Sequence, residues 1–180
     1  IVYYILDVMQ YNRDGDEQRT PLQKQNIVTG RGLERMAQIL QQKPNNYETD
    51  LIFPIIETAA HLAGLNYADG DDKTQVSLKV IGDHVRAVVH MIADGITASN
   101  VGRGYVLRRL IRLVVRPGRL LGIEGNFINQ VAATAIALSE ALYANVRERE
   151  SVIIAELARE HTRLLHTPAQ GEHVLAHLFT

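Results

Sequence analysis

Apolar residues open the chain in an almost continuous run. Residues 1–10 (IVYYILDVMQ) are rich in β-branched and aromatic side chains and read as a buried strand, and the Asp, Gly and Arg of residues 11–20 make a polar loop after it. A second extended segment, residues 24–32, ends in Gly30-Arg31-Gly32. From there the period changes. Leu33, Met36, Ala37, Ile39 and Leu40 recur at helical spacing up to residue 42. Pro44, Asn45 and Asn46 end that helix, and Thr49 or Asp50 caps the next, over residues 51–64, with Pro54 in its first turn. After a charged loop at 69–73, Leu78, Ile81, Val85, Val88, Val89 and Ile92 line one side of a helix over 77–93, closed by Asp94-Gly95. Residues 127–165 read as one or two more helices, and Pro168 breaks the pattern before a short last helical segment. No internal repeat or low-complexity tract interrupts it. The pattern predicts an α+β chain that is mostly α, with a small β element at its start.

Between these helices lies SNVGRGYVLRRLIRLVVR, residues 99–116, a Gly-punctuated turn leading into a helix. At about 100° per residue, Arg108, Arg109, Arg112 and Arg116 fall within an arc of roughly 100°, with Tyr105 among them. Val106, Leu107, Leu110, Ile111, Leu113, Val114 and Val115 make up the apolar side. One face of this helix can bury while the other offers guanidinium groups to phosphate, or is simply solvated, or pairs with acidic residues such as Glu34, Asp83 or Glu124. Asn100, in the turn, can donate to and accept from a base edge or hold the turn itself.

Composition narrows the choice of partner. The 180 residues are 46% hydrophobic, enough for a sizeable core as one domain or as a small domain plus part of another. Because the net charge is only -1, attraction to nucleic acid must come from a local patch, and the arginine face is that patch. The absence of cysteine excludes disulfides and thiolate metal sites and sits easily with a reducing interior. The opening run contains Asp7 and lacks both a basic stretch and a small-residue cleavage site, so it does not read as a signal peptide. No segment is long and apolar enough to cross a membrane. With Ile1 rather than Met at its start, the chain reads as an excised piece of something larger.

Other candidate chemistry is sparse. Gly30-Arg31-Gly32-Leu33-Glu34-Arg35 can let a nucleotide approach bare backbone, with Arg35 reaching a phosphate, or can be a tight strand-to-helix turn. His173 and His177 stand at i, i+4, as two metal ligands on one helix face would, but no third ligand accompanies them, the HExxH form is missing, and a solvated helix face is the better explanation. No carboxylate pair is placed for general acid and base chemistry, and no nucleophile has a partnered base.

MQYNR (9–13), TGRGLERMAQIL (29–40), NNYETDL (45–51), SLKVIGDHVRA (77–87), IADG (92–95) and SNVGRGYVLRRLIR (99–112) together, and in this order, resemble the alanyl-tRNA synthetase family of class II aminoacyl-tRNA ligases. The resemblance runs to about residue 122 and continues more weakly over 160–172. It implies that residues 1–42 are the C-terminal part of a class II catalytic core around motif 3, at the edge of its antiparallel catalytic sheet. Residues 43–180 are then the helical tRNA-recognition domain. Within motif 3 it assigns Gly30, Gly32 and Arg35 to ATP, with Arg35 countering charge as pyrophosphate leaves. It assigns Asn100 to reading a G·U wobble pair in the acceptor stem of tRNA(Ala), and sets Arg103, Arg108, Arg109, Arg112 and Arg116 near phosphate. The reaction implied is ATP-dependent joining of alanine to its tRNA through alanyl-adenylate, with Mg2+ accompanying ATP.

Departures from the family pattern qualify that implication. Val28 stands where the family holds the substrate ammonium with Asp, which predicts weakened alanine binding. Val2 and Ile5 replace an acidic residue and an Asn, Asp7 enters an apolar position, Arg31 replaces an apolar residue and Pro117 a His. Class II motifs 1 and 2 and the editing domain, with its zinc-type HxxxH, have no counterpart, so no zinc is expected. The isolated chain is therefore expected to be inactive; the alternatives are a non-catalytic module that binds the acceptor stem, or a degenerate fragment that folds poorly because residues 1–32 lack the sheet they should join. Residues 45–60 resemble bacterial or plastid-type members, which implies a cytoplasmic or organellar location.

Overall fold

The computed structural model describes residues 2–6, 9–10, 20–21, 26–30 and 32–178, with side-chain surroundings for residues 30 and 32–164. Asp7, Arg31 and the loop at 11–19 lie outside the described residues, as do the side chains of Val2, Ile5, Val28, His173 and His177. Two compact units divide the chain, Ile1–Thr49 and Asp50–Thr180.

In the first unit, β1 (Val2–Leu6) pairs antiparallel with β4 (Asn26–Gly30), placing Val28 opposite Tyr4 and Gly30 opposite Val2. The two-residue strands β2 (Met9–Gln10) and β3 (Thr20–Pro21) pair separately. Among the described residues the expected edge of a class II antiparallel catalytic sheet is therefore absent: helices dominate, and the strands form only two isolated two-stranded ladders. The cause is the shortage of β pattern. Beyond residue 32 every apolar repeat has the helical period, so no further strand extends β1 and β4. Helix α1 (Leu33–Leu40) follows, then a 3-10 turn at Asn46–Glu48 whose Tyr47 N–H donates to the Asn45 side chain at 3.0 Å. Leu33, Ile39 and Leu40 of α1 are exposed.

The second unit is helical: α2 (Phe53–Leu62), α3 (Asp72–Ala93), α4 (Gly102–Leu120), α5 (Phe127–Ser139), α6 (Ala144–Glu148) and α7 (Glu150–Leu178). Helix α3 packs on α2, α4, α5 and α7, and its predicted apolar side, Leu78 to Ile92, is fully buried. Contact is closest where side chains vanish: a Cβ on Gly82 of α3 would lie 2.5 Å from Ile56 Cγ1 of α2. Phe127, Ile128, Val131 and Ile136 of α5 and Ile153 and Leu157 of α7 complete the core.

Several boundaries differ from the sequence reading, each for a local reason. Helix α3 begins at Asp72, not residue 77, because the Asp71 carboxylate accepts from Thr74 N–H at 2.8 Å and caps a polar first turn. Neither Thr49 nor Asp50 caps α2; the Thr49 hydroxyl donates to the Asn46 carbonyl at 2.8 Å, and Ile52 is the N-cap. Helix α4 continues past Pro117 to Leu120, where Gly118 lets the Phe127 ring lie directly on its backbone. Helix α7 likewise runs through Pro168, where a break was expected.

Candidate nucleic-acid interface

The turn before α4 is held from three sides. Gly95, at φ 87°, ends α3, with the Ile96 N–H donating to the Met91 carbonyl at 3.0 Å. The Ser99 hydroxyl donates to the Val101 carbonyl at 2.8 Å, and the Ser99 N–H donates to Gly104 O at 3.1 Å. A Cβ on Gly104 would collide with Ser99 and the Thr97 carbonyl, so glycine there lets the turn lie flat on the first turn of α4. From α7, the buried Glu156 carboxylate accepts from Ala98 N–H at 2.7 Å.

Arg108 is the centre of this arrangement, and it points inward. It is 5% exposed and forks onto Glu160 of α7, with Nε and Nη2 donating to the two carboxylate oxygens at 2.9 and 3.1 Å. Its Nη2 also donates to the Ala98 carbonyl at 3.3 Å, and its Nη1 donates to Asn100 Oδ1. Its carboxylate partner is thus none of Glu34, Asp83 and Glu124. Sequence reasoning missed Glu160, which lies 52 residues away; burial of a full charge at the edge of an apolar helix face was the available signal.

The remaining arginines separate into two groups. Arg109, Arg112 and Arg116 are exposed and share with exposed Tyr105 a stripe that Arg119 extends. Steps of four, three, four and three residues keep all five within an arc of about 80°. Among the described residues no carboxylate is recorded as a partner of these four arginines. Arg119 escaped the sequence reading because that helix was ended at Pro117. Arg112, Arg116 and Arg119 border, with Val115, Leu120 and Leu164, a groove of about 380 Å³. Arg103 is exposed but lies about 160° around the helix from the middle of the stripe, close to the turn. Between them, Val106 and Leu113 are exposed rather than buried as expected, and Leu120 is exposed beside them.

In the first unit, Gly30, Gly32 and Arg35 are all exposed at the β4 to α1 junction. Gly32 has φ -70° and ψ 128°, ordinary extended backbone, and among the described residues a Cβ there would meet nothing closer than Arg35 side-chain atoms at 3.7 Å. Neither the backbone conformation nor the packing of the described residues requires glycine at 32.

Two histidines of the helical unit are held low. His161 of α7, edge-on to Phe127 at 6.2 Å between ring centroids, is held below its usual range by burial and by the charge of Arg119. His90 of α3 is lowered by burial and by Arg86, with Asp94 opposing. The Ser139 hydroxyl donates to the Ala135 carbonyl at 2.8 Å and is therefore the acceptor for His90 Nε2, 3.2 Å away. Among the described residues no group of three or more His, Asp or Glu side chains is placed to hold a metal ion, and no helix is long and apolar enough to cross a membrane.

Comparison with known proteins gives this geometry a context. The sequence model described as "tRNA synthetases class II (A)" matches residues 2–180. Proteins named alanine–tRNA ligase align along nearly the whole chain. The one from Picosynechococcus sp. is 72% identical over 176 residues, 98% of this chain. Those from Nostoc sp. and Synechocystis sp. are 68% and 66% identical over 178 residues, 99% of this chain. In each case the aligned part is 20% of the relative, so the chain spans about a fifth of the length of the curated relatives it matches.

Proposed function

Because the chain belongs to the class II tRNA synthetase (A) family, we propose that it is a portion of an alanine–tRNA ligase whose helical unit receives the acceptor stem of tRNA(Ala). The stripe Tyr105, Arg109, Arg112, Arg116 and Arg119 carries this reading: four exposed guanidinium groups without a recorded carboxylate partner are more charge than solubility requires of a chain whose net charge is -1. Arg103, near the turn, serves a phosphate beside Asn100, and Asn100 reads a base edge of the stem. Arg108 supports this surface from beneath. Anisotropy with an acceptor-stem duplex tests the assignment; equal affinity for a single-stranded RNA of the same length would sink the duplex reading.

The β4 to α1 junction is proposed as part of an ATP site. Glycine at 32, which the described residues around it do not demand, keeps the backbone bare for a nucleotide, and Arg35 counters the phosphate charge. Mg2+ enters this reading as the companion of ATP. Alanine is held poorly because Val28 offers its ammonium no charge. The chain alone is accordingly a tRNA-binding portion without ligase activity, in the cytoplasm or in an organelle such as a plastid. Alanine-dependent exchange of pyrophosphate into ATP by the purified chain would overturn the proposed lack of activity.

A further inference from the structure

The buried network beneath the turn has a chemical polarity that reaches the surface. Arginine is a donor only, so the Asn100 atom that Arg108 Nη1 meets is the carboxamide oxygen. The amide nitrogen is consequently turned away from Arg108. Asn100 is exposed, and among the described residues no acceptor is recorded for its Nδ2. The guanidinium itself is fixed: Glu160, 1% exposed, takes Nε and Nη2 at 2.9 and 3.1 Å, and the Ala98 carbonyl takes Nη2 at 3.3 Å. Ala98 is in turn pinned through its N–H by Glu156 at 2.7 Å. Both acidic residues come from α7, so a helix remote in sequence dictates which end of an exposed amide faces outward.

We infer that Glu160, acting through Arg108, is a positioning residue that fixes the Asn100 carboxamide with its N–H donors outward, selecting an RNA stem that presents a base-edge acceptor there. This rests on the acceptor-stem reading for the identity of the ligand, but the orientation itself does not. A free asparagine can flip its amide and meet donor or acceptor with little preference. An oxygen already held by a buried guanidinium cannot, and a base edge presenting an amino group would leave two donors facing each other. Discrimination of about tenfold between the two edges is expected from one such contact.

Two measurements on the full chain test it. The first is NMR of the Asn100 side-chain amide in the free protein: wild type gives one ordered NH2 pair, and Glu160→Gln gives a mobile, averaged one. The second is affinity for RNA duplexes that differ at a single base pair, presenting either a carbonyl acceptor or an amino donor at the same edge. Wild type prefers the acceptor by about tenfold, and Glu160→Gln brings the ratio close to one while the salt dependence from the arginine stripe is retained. Arg108→Lys guards against loss of folding in the first variant. Its ammonium keeps a charge for Glu160 but lacks the fork that also reaches Asn100, and it loses the same preference. An amide as mobile in wild type as in Glu160→Gln overturns the inference, and so does an unchanged preference in both variants. If wild type binds none of the duplexes, the acceptor-stem reading falls, and the amide spectra alone decide whether Glu160 orients Asn100.

Discussion

Replacing Arg109, Arg112, Arg116 and Arg119 together by alanine separates a phosphate-binding face from a solvated one. The four side chains lie along ten residue steps of α4, or about 15 Å of helix axis. With one guanidinium to each phosphate, the stripe can neutralise about four phosphates of a duplex laid along it. Each phosphate neutralised contributes about 0.9 to the slope of log affinity against log salt, and four contribute about 3.6. Raising salt fourfold, from about 50 to about 200 mM, then weakens wild-type binding by about 150-fold through these contacts alone. In the variant that part of the slope disappears, while the helix keeps its core contacts because none of the four is buried. Anisotropy titrations of an acceptor-stem duplex at several salt concentrations measure both slopes, and circular dichroism checks that the variant remains folded. A slope that changes by less than about one would refute the reasoning and leave α4 a solvated face.

Other expectations follow from burial. Arg108→Ala takes the fork away from buried Glu160 and leaves it only the longer contacts to Arg159 at 3.8 Å and Arg163 at 4.0 Å, costing up to about 3–5 kcal/mol in chemical denaturation, so its effect on RNA binding must be judged against its loss of folded protein. Gly118→Ala drives a methyl group into the Phe127 ring, and a loss of about 1–3 kcal/mol is expected by the same measurement; an unchanged midpoint would show that α5 shifts freely. His90 and His161 are both held below the ordinary value of 6.5 when folded, so the unfolded chain binds more protons once the pH falls through that value. Their contribution to stability is complete above pH 6.5 and is lost as acid reaches their folded values. Thermal melts from neutral to mildly acidic pH should show this, with a smaller decline in His161→Gln.

The helical unit was legible wherever one face is buried against neighbours. Leu78, Ile81, Val85 and Val88 keep the helical period, and all four are fully buried. The first unit was less legible because two extended segments were read as the border of a sheet, whereas among the described residues β1 and β4 are paired only with each other. Exposed Leu33, Ile39 and Leu40 show the same limit on α1: periodicity marks a face fit for burial without showing whether anything covers it. Val106 and Leu113 of α4 were misread on the same ground.

Arg108 marks the point at which a helical wheel stops being informative. Taking about 100° per residue, the buried positions of α4, from Gly104 to Gly118, span an arc of about 120°, and Arg108 sits at one end of it. The basic stripe begins about 20° further round, so angle alone groups Arg108 with Arg109 and Arg112. Their roles diverge because of residues beyond the helix: α7 places Glu160 over one border of the buried arc and no described carboxylate over the stripe. A guanidinium at that border can only remain if the desolvated charge is met by a fork of acceptors, and Glu160, Ala98 and Asn100 supply them. The same sequence motif thus yields two kinds of arginine, one that holds the turn and four that face outward, and the distinction lies in tertiary pairing that spacing along α4 does not encode.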